Sequence, residues 1–518
     1  MAGIRAVQSD QQCALSTVNM MKTKVKLSRA LALAGLMGLF SQPCSSRAQD
    51  TNTIELIQKL QKRVEELEQK VKDLDSGRLQ AEQAAEAQSK RRAQELDQKF
   101  KVLERKQDIE KEAAESRARQ TPSISLGANG LMVRSADSNF LMNVHGYIQA
   151  DGRFYLNDLH PANDTFLLRR VRPIIEGSIY DKFDYRFMAD FGSGNVTGSS
   201  AGNNALLDDA FVNARFWPQF QIQAGKFKSP VGLERLQSSA ELLFVETGFA
   251  TQLTPNYDLG VELHNSLFNS PINYAIGIFN GAIDGGSDDA DTTDQGKDIA
   301  GRLFFQPFLK TGIEPLRKFG FGVGGSFGQH QGTLPTYRTP GQQTFFTYTN
   351  GVAADGHQYR IDPQFYYYCG PFGIIGEYAV SSQKVKSSAS GSPHRRFEQT
   401  AWQIEGSYFL TGDENSFRST SRNLFHPRRS LGSGGFGALE LVARVGQMTL
   451  DPDAYALWVT AASASEATSW GVGLNWYLNS NLRLYVDYER TWFDGGTAAG
   501  SVTAQDENVI LGRVQVAF

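Results

Sequence analysis

Cysteine and long apolar runs are both scarce in this chain. The 518 residues include 3 cysteines, and the longest apolar run, 30–40, has 11 residues. A membrane-spanning helix needs about 20 apolar residues, so no transmembrane helix is expected. The formal net charge is only -3, so bulk charge identifies no partner and no nucleic-acid partner is expected. Glycine, by contrast, is abundant at 50 residues, and Phe (33) and Tyr (18) are frequent.

The apolar run lies in a sequence context that is typical of a secretory signal. Several lysines and an arginine precede it between 22 and 29, and the small-x-Ala sequence 46–48 follows it. This order of basic, apolar and small residues predicts a leader over 1–48, cleaved after Ala48. Cys44 could instead carry a lipid anchor, but Pro43 makes a poor lipoprotein cleavage site.

Cleavage after Ala48 would leave Cys369 as the single cysteine of the mature chain. One thiol forms neither an internal disulfide nor a thiolate metal cluster. The histidines show no metal-ligand spacing. We therefore predict no metal site and no cofactor.

The segment 49–121 is predicted to be a helical coiled-coil stalk in the periplasm. Glycine and aromatic residues nearly vanish there, and six apolar residues follow a/d heptad spacing. These residues are Ile57, Leu60, Val64, Leu67, Val71 and Leu74. A helix this polar cannot bury a core alone, so self-association is expected. The alternative is a solvated single helix or a partly disordered spacer, and Pro122 ends the helix in either case.

From 122 to 518 the sequence predicts an all-β fold, a transmembrane antiparallel β-barrel of about sixteen strands. Apolar and polar residues alternate with the period of two that a strand requires. Over 140–155, for example, one face holds Phe140, Met142, Val144, Ile148 and Phe154, and the other holds Asn143, His145, Tyr147, Gln149, Asp151 and Arg153. Alternation of this kind turns one face to lipid and the other to a polar lumen.

The last strand, 508–518, has the same pattern and ends on Phe518. Val514, Val516 and Phe518 are expected to face lipid, and Arg513 and Gln515 the lumen. A terminal strand of this kind favours a membrane barrel over a soluble sandwich. We expect it to pair with 140–155 and close the barrel.

The spacing between strands predicts which connections lie at each end of the barrel. Short connections, which are expected at the inner side, are 180–182, 217–218 and 479–481. Long connections, which are expected to be outer loops, are 193–205, 281–297, 329–356, 411–435 and 494–506. Aromatic residues expected in interfacial girdles are Trp217, Tyr257, Trp470, Trp476, Tyr477 and Trp492.

Two loops carry concentrated charge. The acidic run 284–298 is expected to be solvated, since it lacks the spacing and closing Glu of a calcium-binding EF-hand. The basic run 418–429 could attract anions or lipopolysaccharide phosphates, with a solvated loop as the default. Overall, 1–121 holds 22 basic and 17 acidic residues, which leaves 30 and 38 for the barrel, a net charge of -8.

Several segments together resemble the phosphate-selective porin O and P family. The most distinctive are Leu168-Arg-Arg-Val-Arg-Pro173 and Ala224-Gly-Lys-Phe-Lys-Ser-Pro-Val-Gly-Leu-Glu-Arg-Leu-Gln-Ser-Ser239, with 402–412, 437–444 and 475–483 in support. The resemblance covers nearly all of 140–518. It implies a trimeric sixteen-stranded barrel whose third outer loop folds into the pore, and 226–254 is similar to that loop.

The resemblance also implies an anion site in the pore. Arg169 and Arg170 resemble the family's arginine pair, and Ser238 and Ser239 its serines. Asp209 resembles its aspartate, and Arg235 takes the place of the loop's basic group. Arg172, Lys226 and Lys228 complete the predicted pore and anion-binding residues.

Strand alternation agrees with this assignment only in part. It places Arg170 and Arg172 on the lumen face and Arg169 on the lipid face. Arg169 could turn inward at a bulge or at the strand end, or it could snorkel at the interface. Each of these arginines could also serve only to shape a general field within the pore.

We therefore expect an outer-membrane channel for passive diffusion of small solutes, with a bias toward phosphate or other small anions. Its expected partners are outer-membrane lipid and lipopolysaccharide, small anions and two further copies in a homotrimer. The alternative is a structural anchor that tethers the envelope to the cell wall through its coiled coil. An enzyme is not expected, because no nucleophile elbow or paired catalytic carboxylates are evident, and the glycine-rich 320–325 lacks a βαβ context.

Overall fold

The structure is a computed structural model that describes residues 51–156, 163–192, 206–265, 270–288, 296–388, 394–419, 424–455, 458–495 and 506–518. The predicted leader lies outside these residues. The chain divides into two units after Glu110.

A single helix, α1 (Thr51–Gln120), occupies most of the predicted stalk. Leu60, Val64, Leu67 and Leu74 of the heptad seam are each more than half exposed in the single chain. The helix itself is therefore as predicted, and its self-association stays a prediction. No helix in the described part of the chain is both long and apolar enough to span a membrane.

The rest of the described chain is β-structure. Its strands are β1 (Ser123–Gly127), β2 (Gly130–Arg134), β3 (Phe140–Tyr155), β4 (Thr165–Ile179), β5 (Phe183–Asp190), β6 (Leu206–Trp217), β7 (Phe220–Lys228), β8 (Tyr257–His264), β9 (Ile272–Phe279), β10 (Asp298–Phe305), β11 (Lys318–Gly332), β12 (Tyr337–Arg338), β13 (Thr344–Phe346), β14 (Val352–Cys369), β15 (Phe372–Ser387), β16 (His394–Phe409), β17 (Ala438–Thr449), β18 (Glu466–Tyr477), β19 (Leu482–Asp494) and β20 (Glu507–Ala517). Short helices are α2 (Leu233–Leu236) and the 3-10 turns Ala250–Leu253, Glu314–Leu316 and Pro452–Ala454.

Sixteen of the described strands, all except β1, β2, β12 and β13, form a closed antiparallel barrel. Each pairs with its neighbour in the chain, and β20 pairs with β3 to close the cylinder. The hairpin β1–β2 adds to the first part of β3, before the segment that β20 covers. The predicted fold class and the predicted closing pair are both confirmed.

Alternation places the side chains as the sequence predicts. On β3, Asn143 and Gln149 in the lumen are 1% and 0% exposed, whereas Phe140 on the outer surface is 47% exposed. On β20, Arg513 is 2% exposed and Val514 is 47% exposed. Because the barrel is closed, the apolar face of every strand meets the membrane and the polar face meets the lumen.

The strand order identifies the two ends of the barrel. The end that carries the turns after β4, β6, β14 and β18 is called the inner rim, and the opposite end the outer rim. The connection 410–437 joins β16 to β17 at the inner rim, so the prediction of an outer loop over 411–435 is wrong. The predicted outer loop 193–205 lies outside the described residues.

The segment 229–256, called the lumen loop, joins β7 to β8 and lies inside the barrel. It has little regular structure, so barrel-wall side chains satisfy its backbone. Five wall side chains donate hydrogen bonds to carbonyl oxygens of the loop: Gln149 to Ser239, Gln515 to Ala240, Arg483 to Leu242, Asn475 to Leu243 and Gln364 to Val231. Two wall side chains accept from backbone N–H groups of the loop: Asp487 from Val245 and Gln403 from Ala250. These bonds reach strands on several sides of the barrel and hold the loop across its lumen.

One glycine of the wall permits a close approach of the lumen loop. A Cβ at Gly324 on β11 would lie 2.2 Å from the carbonyl oxygen of Val231. Any side chain there would therefore displace the loop or the strand.

Candidate functional site

The lumen loop separates two cavities within the barrel. The outer cavity, of about 500 Å³, lies toward the outer rim, and the inner cavity, of about 300 Å³, lies toward the inner rim. Four residues line both cavities: Arg172 on β4, Lys228 on β7, Ser239 of the lumen loop and Tyr257 on β8. These four residues, called the junction, lie where a solute would pass from one cavity to the other.

A β-bulge in β4 brings two consecutive arginines into the outer cavity. Gln149 of β3 pairs with Arg170, and the next residue, Ala150, pairs with Leu168. Arg169 is therefore the extra residue of a bulge. Both Arg169 and Arg170 line the outer cavity. Arg169 therefore turns inward at a bulge, which is one of the alternatives considered for it above.

A second bulge, in β6, turns two consecutive aspartates toward the lumen. Met188 of β5 pairs with Asp209, and Ala189 pairs with Leu207, so Asp208 is the extra residue. Asp208 lines the outer cavity and Asp209 the inner cavity. The sequence predicted Asp209 at the site but missed Asp208, because strict alternation turns only one of two neighbours inward.

Arg172 is the most heavily bonded residue of the junction. Its guanidinium lies 2.8 Å from Asp190 and 2.6 Å from Asp208, and it donates to the Tyr147 hydroxyl at 3.0 Å and to Ser239 Oγ at 3.2 Å. Two carboxylates thus neutralise its charge. Their bonds also fix the guanidinium beside the lumen loop.

Lys228 and Arg170 have a different environment. Lys228 Nζ donates to the carbonyl oxygen of Gln237 at 2.6 Å, and Arg170 donates to Gln149 Oε1 at 2.8 Å. Within the described part of the barrel, no carboxylate lies within 4.0 Å of either cation. Arg170 Nε also lacks a hydrogen-bond partner there. Both cations are therefore held by neutral oxygens and have no carboxylate in direct contact within this part of the chain.

Glu246 of the lumen loop neutralises Arg169. Its carboxylate accepts from Arg169 Nε at 2.6 Å and from Arg153 Nη2 at 2.9 Å. Burial favours the neutral acid, but the guanidinium groups of Arg169 and Arg153 outweigh burial and hold the pKa of Glu246 well below its usual range. No sequence pattern pointed to Glu246, because a loop without periodicity does not reveal where its side chains point.

The remaining predicted residues also line the two cavities. Lys226 and Arg235 line the outer cavity, and Ser238 lines the inner one. Arg235 donates to the carbonyl oxygen of Thr251 within the lumen loop. Asp209 pairs with Arg186 at 2.9 Å, so it is a partner of a wall arginine. The structure thus brings all nine predicted residues to one stretch of the lumen.

The outer cavity has a positive excess despite the acidic composition of the barrel. Among the described residues that line it, seven are basic and five are acidic. The basic ones are Arg169, Arg170, Arg172, Lys226, Lys228, Arg235 and Arg338, and the acidic ones are Asp190, Asp208, Glu234, Glu246 and Asp284. A low-dielectric wall strengthens the field of such an excess on a passing ion.

Seven Phe and Tyr rings contribute to the wall of the inner cavity. The rings that line it are Tyr147, Phe211, Phe227, Tyr257, Phe304, Tyr366 and Phe417. Tyr257 is 3% exposed, and Tyr477, near the inner rim, is 2% exposed. Both rings lie inside the barrel, so the prediction that they belong to an interfacial girdle is wrong.

The sequence profile of the phosphate-selective porin O and P family matches residues 142–518. The chain belongs to this family. Family membership and the closed barrel identify this porin as an outer-membrane channel rather than an enzyme. A comparison with curated proteins gave no match.

Solved porin structures are similar to this chain at low sequence identity. The anion-selective porin of Comamonas acidovorans is 11% identical, with a TM-score of 0.43 over 73% of this chain and 100% of that one. OmpT of Vibrio cholerae is 11% identical, with a TM-score of 0.45 over 73% and 98% of the two chains. OmpF of Salmonella typhi, solved with daunomycin, is 11% identical, with a TM-score of 0.44 over 73% and 98%.

Proposed function

We propose that this porin is a passive channel with a preference for small anions, phosphate among them. The observation that supports this most is the state of Arg170 and Lys228. Both line the outer cavity, and both lack a carboxylate within 4.0 Å among the residues that the structure describes. Their charge is available to a passing anion.

The groups at the junction suit a tetrahedral oxyanion. Lys228 offers an ammonium group, Arg170 a guanidinium and Ser239 a hydroxyl, which together supply several donors in different directions. Passage requires that each site hold the ion weakly, since a tight site would block the channel. Cations that are already bonded to neutral oxygens, as these two are, meet that requirement.

The predicted residues then divide into two roles. Arg170, Lys228 and Ser239 contact the anion, whereas Lys226 and Arg235 add to the positive field of the outer cavity. Arg169 contributes less than the resemblance implies, because Glu246 already occupies its guanidinium. Arg172, Asp209 and Ser238 position the junction from the wall and the lumen loop.

Single-channel recordings of the reconstituted full-length protein test this proposal. Conductance is measured in potassium chloride, and phosphate is then titrated in at constant ionic strength. We expect an anion-selective conductance that phosphate reduces in a saturable way. Cation preference without phosphate block would contradict the anion part, and a protein without conductance would contradict the channel itself.

We also propose that α1 is a periplasmic stalk that self-associates in a homotrimer and contacts the cell wall. The support is its exposed seam, in which Leu60, Leu67 and Leu74 are each more than half exposed in the single chain. Serine at these three positions should lower the thermal stability of the oligomer and reduce its co-purification with cell wall. If neither changes, the stalk has neither role.

A further inference from the structure

We propose that the inner cavity is a binding site for an aromatic carboxylate, with the ring in the cavity and the carboxylate toward the junction. The proposal rests on the proposed function for its anionic end alone. Its apolar end rests on the aromatic wall of the cavity, which the permeation of a small hydrated anion does not require.

A row of stacked groups forms one side of this wall. Arg302 lies 4.2 Å above the ring of Phe304, whose centroid is 5.0 Å from that of Tyr366. The ring of Phe417, from the 410–437 connection, stacks on Tyr366 at 5.2 Å and an interplanar angle of 16°. The row therefore runs from a cation through three rings, and each of the four groups lines the cavity.

Further apolar side chains line the cavity. Phe211 and Phe227 meet edge to face at 6.0 Å, and Met188 and Leu236 are also part of the lining. A hydrated phosphate gains nothing from such surfaces, since it would have to shed water against groups that cannot replace it. A planar ring gains both from burial and from ring contacts.

The charged groups of the cavity fit the carboxylate of the same ligand. No carboxylate in the described chain lies within 4.0 Å of Arg302, whose Nε donates to Gln364 at 2.6 Å. Lys228, at the junction, likewise has no carboxylate within 4.0 Å among the described residues, and its Nζ lies 5.7 Å from the ring of Tyr257. The cavity therefore offers the carboxylate two cations, Arg302 on the aromatic row and Lys228 at the junction.

Two acids line the cavity as well. Asp209 is bonded to Arg186 at 2.9 Å and is thereby neutralised. Glu262 is 8% exposed, and its Oε2 has no hydrogen-bond partner within the described structure. An acceptor on the wall suits a ring that carries a hydroxyl group, which would donate to it.

Block of the chloride current by benzoate and by acetate tests the proposal on the wild-type protein. The two anions carry the same carboxylate and differ in the ring. We expect the half-blocking concentration of benzoate to be lower by about tenfold, from burial of one ring face. Equal half-blocking concentrations would overturn the proposal. If phosphate still blocks in that case, the anion preference stands and the aromatic site alone is wrong.

A matched pair of variants tests the location of the site. Phe417→Ala removes the last ring of the row, whereas Phe425→Ala removes a ring of the same connection that stacks on Phe409 at 4.6 Å and lines neither cavity. Phe417→Ala should raise the half-blocking concentration of benzoate roughly fivefold without changing that of phosphate. Phe425→Ala should change neither. If both variants keep the wild-type preference for benzoate, the ring does not bind in the inner cavity.

Discussion

The outer and inner cavities share four residues and one loop, yet their walls differ in chemistry. The outer cavity has seven basic and five acidic side chains among its described residues. The inner cavity has a row of rings that ends on Arg302. Charged side chains are thus more numerous at one level of the lumen, and aromatic rings at the next.

The two walls also arise from different backbone features. Regular alternation is sufficient for the inner wall, since Arg302 and Phe304 on β10 and Gln364 and Tyr366 on β14 occupy alternate positions on the lumen face. The outer wall depends on the bulges at Arg169 and Asp208, each of which adds one charge of its sign to the lumen. Bulges therefore concentrate charge where regular strands would place an apolar side chain.

Reversal of the charge of Lys228 at the junction should have the largest effect on the ion selectivity of the channel. Lys228→Glu adds a carboxylate to the outer cavity, which Asp190 and Asp208 already line, so we expect the anion preference to fall at least tenfold and the zero-current potential to change sign. The matched control is Lys310→Glu, because Lys310 is exposed on the inner-rim turn between β10 and β11. An unchanged potential in Lys228→Glu would show that the permeating ion does not pass Lys228.

Removal of one cation from each cavity should separate their roles. Arg170→Ala should raise the half-blocking concentration of phosphate by about three- to tenfold, since one charge-assisted contact is lost, and should preserve the benzoate-to-acetate ratio. Arg302→Ala should instead leave the half-blocking concentration of phosphate unchanged and alter the benzoate-to-acetate ratio. Equal effects of both variants on both anions would mean that the cavities act as one field.

Neutralisation of Glu246, the carboxylate that pairs with Arg169 and Arg153, should increase the positive charge of the outer cavity. Glu246→Gln leaves Arg169 and Arg153 without their carboxylate, so we expect anion preference to rise about twofold to threefold. Glu241→Gln is the control, because Glu241 is equally buried and pairs with Arg418 at 3.1 Å but lines neither cavity.

The same pair predicts a pH dependence. The pKa of Glu246 is held below its usual range, so its charge persists as pH falls through the range where ordinary glutamates titrate. The difference in selectivity between Glu246→Gln and the wild type should therefore stay constant from neutral pH down to about pH 3.5, which is below the ordinary glutamate pKa of about 4.3. A difference that fades over this range would show that Glu246 is not held by the two arginines.

The lumen loop that divides the cavities offers the test with the smallest expected effect on selectivity. Gly324→Ala forces a Cβ against Val231, which should lower the free energy of unfolding by about 1–3 kcal/mol and increase current noise. Gly406→Ala is the control, since the nearest atom to its Cβ would be 3.9 Å away. Equal midpoints in thermal unfolding would show that the loop yields at Val231 without cost.

The sequence predicts most of the fold because a barrel wall is periodic. Alternation predicted both faces of β3 and β20 and their pairing, and the nine residues predicted for the pore all line one of the two cavities, although their role as an anion site stays a prediction. Alternation could not reveal Asp208 or Glu246, because a bulge and a loop both depart from the period of two. Connection length was also misleading for 410–437, since a long inner connection can fold back into the lumen, where Arg418 bonds Glu241.

The zero-current potential of the wild-type protein across a potassium chloride gradient decides whether the lumen prefers anions. We expect a potential with the sign of chloride permeation, which shrinks toward zero as phosphate occupies the junction. A potential with the sign of potassium permeation that phosphate leaves unchanged would contradict it.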